Sequence, residues 1–166
     1  MQQLYNTKSN AFNLSCDVEG HGLIMKFRSD IAEQLFLLGD DSINEVGGLL
    51  GSTQGFIVDC IVIDREYQSD RFFYTPNTTF LNHEIQKWIG QNIQLIGLFH
   101  THYYGVTALS EMDKRYISLI MASLPQSMDH LLFPIIVFPG KEIVCYRANR
   151  KMDSVQFTTE ELEIVH

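Results

Sequence analysis

Ile93-Gln94-Leu95-Ile96-Gly97-Leu98-Phe99-His100-Thr101-His102, then Tyr103-Tyr104-Gly105-Val106-Thr107-Ala108-Leu109 and Ser110-Glu111-Met112-Asp113, is the stretch on which fold and chemistry both turn. Residues 93–99 are apolar apart from Gln94 and read as a buried strand. The strand runs straight into two histidines at i and i+2, whose side chains fall on one face because successive strand residues alternate. A loop carrying Gly105 follows, and a helix opens at Ser110 and runs to about Leu124. Ser110 and Asp113 stand three apart at its start and share a face. A strand end, a loop and a helix start can fold Asp113 back to the two imidazoles. Two nitrogens, one carboxylate oxygen and an open fourth position describe a catalytic zinc site. Hydrolysis is the chemistry such a site supports, because the metal lowers the pKa of bound water.

Each part has a plainer reading. A lone His-x-His is most often incidental, and Ser110-x-x-Asp113 is also a capping box. Together they are harder to dismiss. At this chain's own His, Ser and Asp frequencies, the combined spacing arises by chance roughly once in a thousand.

Outward from this stretch, helices and strands alternate. Ser29-Asp30-Ile31-Ala32-Glu33 predicts a helix opening with Asp30 as cap, Ile31, Leu35 and Leu38 at helical spacing, and Gly39 as stop. Apolar runs over residues 46–51 and 56–63 flank Ser52-Thr53-Gln54-Gly55 and read as a hairpin. Residues 64–76 read as a long loop or irregular edge. Residues 78–88 predict a helix carrying Phe80, Leu81, Ile85 and Trp88, closed by Gly90. Downstream, residues 131–138 and 142–148 read as strands joined by Pro139-Gly140-Lys141. The basic stretch from Arg147 to Lys151 looks like a loop, and residues 155–158 an added edge strand before a frayed acidic end. Such alternation predicts an α/β domain, a layered sheet with helices packed on it.

Composition bounds the function. The 166 residues suit one globular domain, spanning 1–166, and 45% apolar content supports a packed core. A net charge of −8 argues against nucleic acid as a partner, since phosphate neutralisation needs a basic face. Cys16, Cys60 and Cys145 are too far apart for a metal knuckle and odd in number, which suits small core residues in a reducing cytosol. The N-terminal residues lack a signal-peptide pattern, and no apolar run approaches the roughly 20 residues that span a bilayer. The expectation is a soluble, cytoplasmic protein.

His100-x-His102, seven residues, Ser110, two residues, Asp113 resembles the signature of the JAMM/MPN+ (JAB-domain) zinc metalloproteases. The family also has a glutamate upstream on a Gly-rich strand, and Glu45 in Asn44-Glu45-Val46-Gly47-Gly48-Leu49-Leu50-Gly51 looks like it. The order of elements matches too, over residues 24–148. The resemblance implies a curved mixed β-sheet flanked by helices, an α-β-α sandwich with one Zn2+ at its mouth. His100, His102 and Asp113 would be the zinc ligands. Glu45 would be the general acid/base, and Ser110 would donate a hydrogen bond to the oxyanion. The implied substrate is a ubiquitin-like protein or its conjugate, cut at the amide or isopeptide bond of its C-terminus. A compact chain of this kind resembles the prokaryotic stand-alone members, which mature or deconjugate small ubiquitin-like proteins, some in sulfur-carrier chemistry. Tyr103 and Leu109 stand where the family commonly has proline, and neither position supplies a ligand. Only residues 125–130 occupy the interval in which linkage-discriminating members carry a long insertion, so linkage-selective cleavage of polyubiquitin is not expected.

Two other classes fit the same sequence. One is a non-catalytic MPN scaffold, which zinc content discriminates; the other is a zinc peptidase acting on ordinary peptides. His83-Glu84 suggests a HExxH helix, but Lys87 takes the second histidine's place, so a surface pair on a helix is expected. His21, His130 and His166 are expected to be solvated. The glycines of residues 46–51 lack the Lys-Ser/Thr of a phosphate loop and are better explained by close sheet packing. Phe72, Phe73, Tyr74, Tyr103 and Tyr104 would serve either as packing or as a groove for an extended peptide.

Overall fold

The apolar run after Ile93 folds into a strand, β7 (Gln94–His102), that includes both histidines. The computed structural model describes residues 24–39, 44–55, 57–65, 68–70, 73–152 and 154–166. The expectations placed on Cys16, His21, Phe56 and Phe72, and on the Phe73 side chain, lie outside the described residues. Ahead of β7 come β1 (Ile24–Arg28), α1 (Ser29–Leu37), β2 (Gly47–Ser52), β3 (Ile57–Val58), β4 (Cys60–Ile63), β5 (Gln68–Asp70), β6 (Phe73–Thr75) and α2 (Thr78–Gly90). After it come α3 (Glu111–Ser123), β8 (His130–Leu132), β9 (Ile135–Val137), β10 (Glu142–Arg150) and β11 (Val155–Val165).

A nine-stranded mixed sheet in the order β3-β1-β11-β10-β8-β7-β2-β4 forms the centre, with β9 pairing both β10 and β7. β7 runs antiparallel to β2 and parallel to β8 and β9. Neighbouring residues on its strands point to opposite faces, and both faces are covered. Leu50, Phe99 and Ile136 pack with Ile31, Ala32 and Leu35 of α1. Their neighbours Leu49, Leu98 and Ile135 pack with Leu81, Ile85 and Trp88 of α2 and with Ile117, Ile120 and Met121 of α3. The layers are therefore helix, sheet, helix, as expected. No helix among the described residues is long and apolar enough to cross a membrane.

β2 is wholly buried, and its glycines admit neighbours that a side chain would displace. A Cβ on Gly48 would lie 1.9 Å from the Val62 carbonyl oxygen on β4 and 2.9 Å from the Phe99 ring. Gly48→Ala is expected to destabilise the protein by about 1–3 kcal/mol, the ordinary cost of overpacking, and a thermal melt reads it.

Several local expectations are corrected. Asp30 does not cap α1; Arg28 stands at the N-cap without a side-chain bond, and its guanidinium binds the Asp30 carboxylate at 2.5 and 2.8 Å. The second hairpin run is broken at Asp59, whose carboxylate turns back to accept from the Thr53 N–H (3.0 Å) and hydroxyl. As a result β3 pairs with β1 while β4 pairs with β2. Where a long loop or irregular edge is expected over residues 64–76, β5 and β6 pair as two antiparallel strands. The expected strand over residues 131–138 is split at Phe133-Pro134, where proline offers no N–H to a ladder. Arg147 and Arg150 belong to β10 rather than a loop, because both charges find partners. Arg147 Nε lies 3.2 Å from Glu160, and Arg150 Nη2 donates to the carbonyls of Met121 (2.5 Å) and Leu124 (3.2 Å) at the end of α3. Finally, β11 runs to Val165 and lies between β10 and β1, so it is no edge.

Candidate metal centre

The last three residues of β7 divide their duties by face. His100 and His102 point to the α3 side, and Thr101 points away and is fully buried. Thr101 Oγ1 accepts from the Val46 N–H at 2.8 Å, and its own N–H donates to the Val46 carbonyl at 2.7 Å. This pair of hydrogen bonds fixes the residue next to Glu45 against the strand that carries the histidines. Beyond His102 the chain turns sharply through Tyr104 (φ 61°) and Gly105 (φ 70°). Phe138 N–H donates to the His102 carbonyl (2.8 Å) and Gly105 N–H to the Phe138 carbonyl (2.9 Å), which anchors the turn. The turn presents the Val106 carbonyl to His102 Nδ1 at 3.1 Å. A carbonyl only accepts, so Nδ1 carries the proton, and in the neutral ring Nε2 is left with a free lone pair.

Ser110 caps α3 in a complete capping box. Its Oγ accepts from Asp113 N–H at 3.1 Å, and Asp113 Oδ2 accepts from Ser110 N–H at 2.7 Å. The same Asp113 carboxylate faces the imidazoles, with Oδ1 3.5 Å from His100 Nε2 and Oδ2 3.6 Å from His102 Nε2. The two Nε2 atoms lie 2.6 Å apart. Among the described residues, the ligand atoms of His100, His102 and Asp113 fall within 4.8 Å of one another. Tetrahedral coordination at zinc bond lengths needs ligand spacings of about 3.3 Å, so the histidine–aspartate spacings nearly match and the histidine pair sits closer. Two buried ring nitrogens aimed at each other beside a carboxylate form a donor set that fits a cation.

The electrostatics of His100 and Asp113 agree with that donor set, while those of His102 favour the protonated ring. Burial, reinforced by His102, pushes the His100 imidazole down to about 4, so its ring is neutral at pH 7 with a lone pair to offer. Burial also opposes charge on His102, but the Asp113 hydrogen bond, then the charges of Glu45 and Asp113, raise it above its ordinary value. Asp113 would be raised by burial; its hydrogen bonds with His102 and Ser110 instead bring it down to about 2. Glu45 moves the other way. Burial pushes it up to about 7, with Asp113 adding to the rise and His102 and the Tyr74 N–H opposing it. A carboxyl group poised near neutrality beside a metal donor set is suited to proton transfer.

The structure thus gathers His100, His102, Asp113, Ser110 and Glu45 in one region. The sequence reading assigns no role to Thr101 or the Val106 carbonyl, and places Tyr74 only among the aromatics, although its N–H donates to Glu45 Oε2 at 3.2 Å. Thr101 carried the only visible signal, a hydroxyl between two candidate ligands. The other candidates fall elsewhere. His83 is exposed on α2, as the surface reading expected, whereas Glu84 is half-buried and lies 2.6 Å from Lys87. His130, expected to be solvated, is half-buried with Nδ1 2.6 Å from Asp129, and His166 Nδ1 lies 3.2 Å from Ser29 Oγ. Gly47, Gly48 and Gly51 sit within a buried strand. Among the described aromatics, Tyr103 stacks on Phe138 while Tyr104 stands 87% exposed. Cys60 and Cys145 are free thiols, pushed up by burial to about 11 and about 12.

No protein-family model matches the chain, and no curated protein matches it. Among solved structures it is similar to protein DSY2949 from Desulfitobacterium hafniense, at 21% identity and a TM-score of 0.62, covering 84% of this chain and 92% of that one. It is also similar to AF2198, a JAB1/MPN domain protein from Archaeoglobus fulgidus, at 16% identity and a TM-score of 0.49, covering 86% of this chain and 100% of that one. The likeness to the Desulfitobacterium protein establishes a shared fold.

Proposed function

We propose that the protein is a zinc-dependent hydrolase of the JAMM type, which cuts the amide or isopeptide bond at the C-terminus of a ubiquitin-like protein. The observation that carries the reading is the convergence of His100, His102 and Asp113 within 4.8 Å, with Glu45 beside them. The ubiquitin-like substrate rests on the resemblance of the His-x-His…Ser-x-x-Asp pattern to that family. The absence of a nucleic-acid partner from this reading is supported by the net charge of −8, and a cytoplasmic location by the scattered cysteines.

His100 and His102 would hold the ion through Nε2 and Asp113 through its carboxylate. Bound there, zinc supplies Lewis acidity that brings the pKa of water towards neutrality. Glu45 takes a proton from the attacking water as the oxygen adds to the carbonyl carbon. It then returns that proton to the leaving nitrogen as the C–N bond breaks. Ser110 Oγ accepts from the Asp113 N–H, which leaves the hydroxyl proton to donate to the carbonyl oxygen as charge develops.

The test is to strip the protein with a chelator, restore one equivalent of zinc, and follow release of a fluorescent amine from the C-terminal amide of a ubiquitin-like protein. Cleavage that appears only with the metal supports the reading. Protein that takes up no stoichiometric zinc sinks it and favours a scaffold. Cleavage of unstructured peptides at equal rate favours an ordinary peptidase. Ser110→Ala separates that residue's two duties. Loss of the cap costs about 1 kcal/mol of stability, and loss of an oxyanion donor lowers turnover by about 10²- to 10³-fold. A lower melting temperature with unchanged turnover leaves Ser110 only its capping role.

A further inference from the structure

Glu45 precedes β2 and belongs to no strand, so no backbone ladder of its own orients it. Two contacts do. From one side Thr101 grips Val46 and fixes the main chain. From the other the Tyr74 N–H reaches Glu45 Oε2 at 3.2 Å and fixes the carboxylate tip.

Tyr74 is itself held. Its hydroxyl donates to Asp64 Oδ2 at 2.9 Å, and the same oxygen accepts from the Asn77 N–H at 2.7 Å. Asp64 is fully buried, and its own N–H donates to the Gly47 carbonyl at 2.9 Å. A buried carboxylate is costly unless hydrogen bonds satisfy it, and these bonds tie the β5–β6 hairpin and the start of α2 to the end of β4. The ring has a prepared seat as well. A Cβ on Gly47 would lie 2.2 Å from the Tyr74 ring, and Gly47 pairs directly with His100 across β2 and β7. A side chain at position 47 would meet the ring, so glycine lets it sit against the strand beside the metal ligand.

We propose that Tyr74, anchored by buried Asp64 and seated on Gly47, is a positioning residue that holds the Glu45 carboxylate towards the metal centre. The inference rests on the reading of Glu45 as the acid/base, and it deepens that reading by naming what keeps the carboxylate in place. The hydrogen bond comes from a backbone amide, so the side chain at position 74 acts by setting where that amide lies.

The test uses the full zinc-loaded chain and two readouts. Amide hydrogen exchange by NMR reports the contact directly. Tyr74→Phe removes only the hydroxyl and keeps the ring on Gly47; the position-74 amide is expected to exchange about tenfold faster, the equivalent of one lost hydrogen bond. Glu45→Ala removes the acceptor and is expected to do the same. Asp64→Asn keeps an oxygen acceptor and is expected to stay near wild type, while Asp64→Ala behaves as Tyr74→Phe or fails to fold. In either case Tyr74→Phe carries the test. The second readout is cleavage of the C-terminal aminocoumarin amide of ubiquitin, used as the probe. Tyr74→Phe is expected to lower kcat about tenfold, with KM and zinc affinity within about twofold of wild type. Position-74 exchange that ignores Glu45→Ala overturns the inference, and so does Tyr74→Phe with wild-type kcat on an active enzyme. A tenfold change in zinc affinity also overturns it, since the side chain would then be supporting the metal ligands. A wild-type chain inert towards the probe, with zinc bound, sinks the hydrolase reading and this duty with it. The exchange data still report whether the Tyr74–Glu45 contact exists.

Discussion

Glu45→Gln is expected to reduce hydrolysis by about 10²- to 10⁴-fold, the range a positioned general acid/base contributes, while stoichiometric zinc stays bound. The substitution is a clean one. Glutamine keeps an oxygen that accepts from the Tyr74 N–H, and it keeps the size of the side chain. What it loses is the ability to take up a proton, which burial tunes to about 7 in the native residue. Zinc is measured by elemental analysis and turnover by amine release. Turnover within about tenfold of wild type would remove Glu45 from the proton-transfer role, since general acid–base catalysis is worth more than that.

His102→Ala and Asp113→Ala are both expected to release the metal. Losing an outer-shell partner already costs roughly 10–100-fold in affinity, and losing a ligand costs more. Asp113 needs a second substitution, because its carboxylate also closes the capping box with Ser110. Alanine there costs about 1 kcal/mol of helix stability, so weaker zinc binding could be blamed on a frayed helix. Asp113→Asn keeps an oxygen for the Ser110 N–H but gives up the ionised carboxylate. Zinc lost from Asp113→Asn at near-native melting temperature assigns the effect to ligation. Stoichiometric zinc retained in both His102→Ala and Asp113→Ala would break the ligand assignment.

What was readable in the sequence was what is local. The strand carrying His100 and His102, the cap at Ser110 and the helix after it are separated by a few residues, and periodicity reveals such elements directly. The helical stripes of Ile31 and Leu35 and of Leu81, Ile85 and Trp88 were legible for the same reason, and all five are buried. Pairings between distant segments left no trace. β1 lies parallel to β11 with Ile24 opposite Glu161, so the tail after residue 153 passed for an edge strand. Arg147 looked like a loop residue because its partner Glu160 lies across a strand pair that periodicity does not reveal. In the sequence Tyr74 is only one aromatic among several. Its contact with Glu45 comes from a backbone amide, which every residue but proline possesses and no residue type announces.

α3 spans 13 residues, or about 20 Å, with Asp113 near one end and the carbonyls gripped by Arg150 near the other. Such a rod is a lever. A tilt of about 3° at the far end moves the near end by about 1 Å over that length, and a displacement of that size can cost about a hundredfold in rate. The spacing between the carboxylate and the imidazoles is therefore set partly by a guanidinium at the opposite end of the helix, and substitutions remote from the chemistry can retune it without touching a ligand.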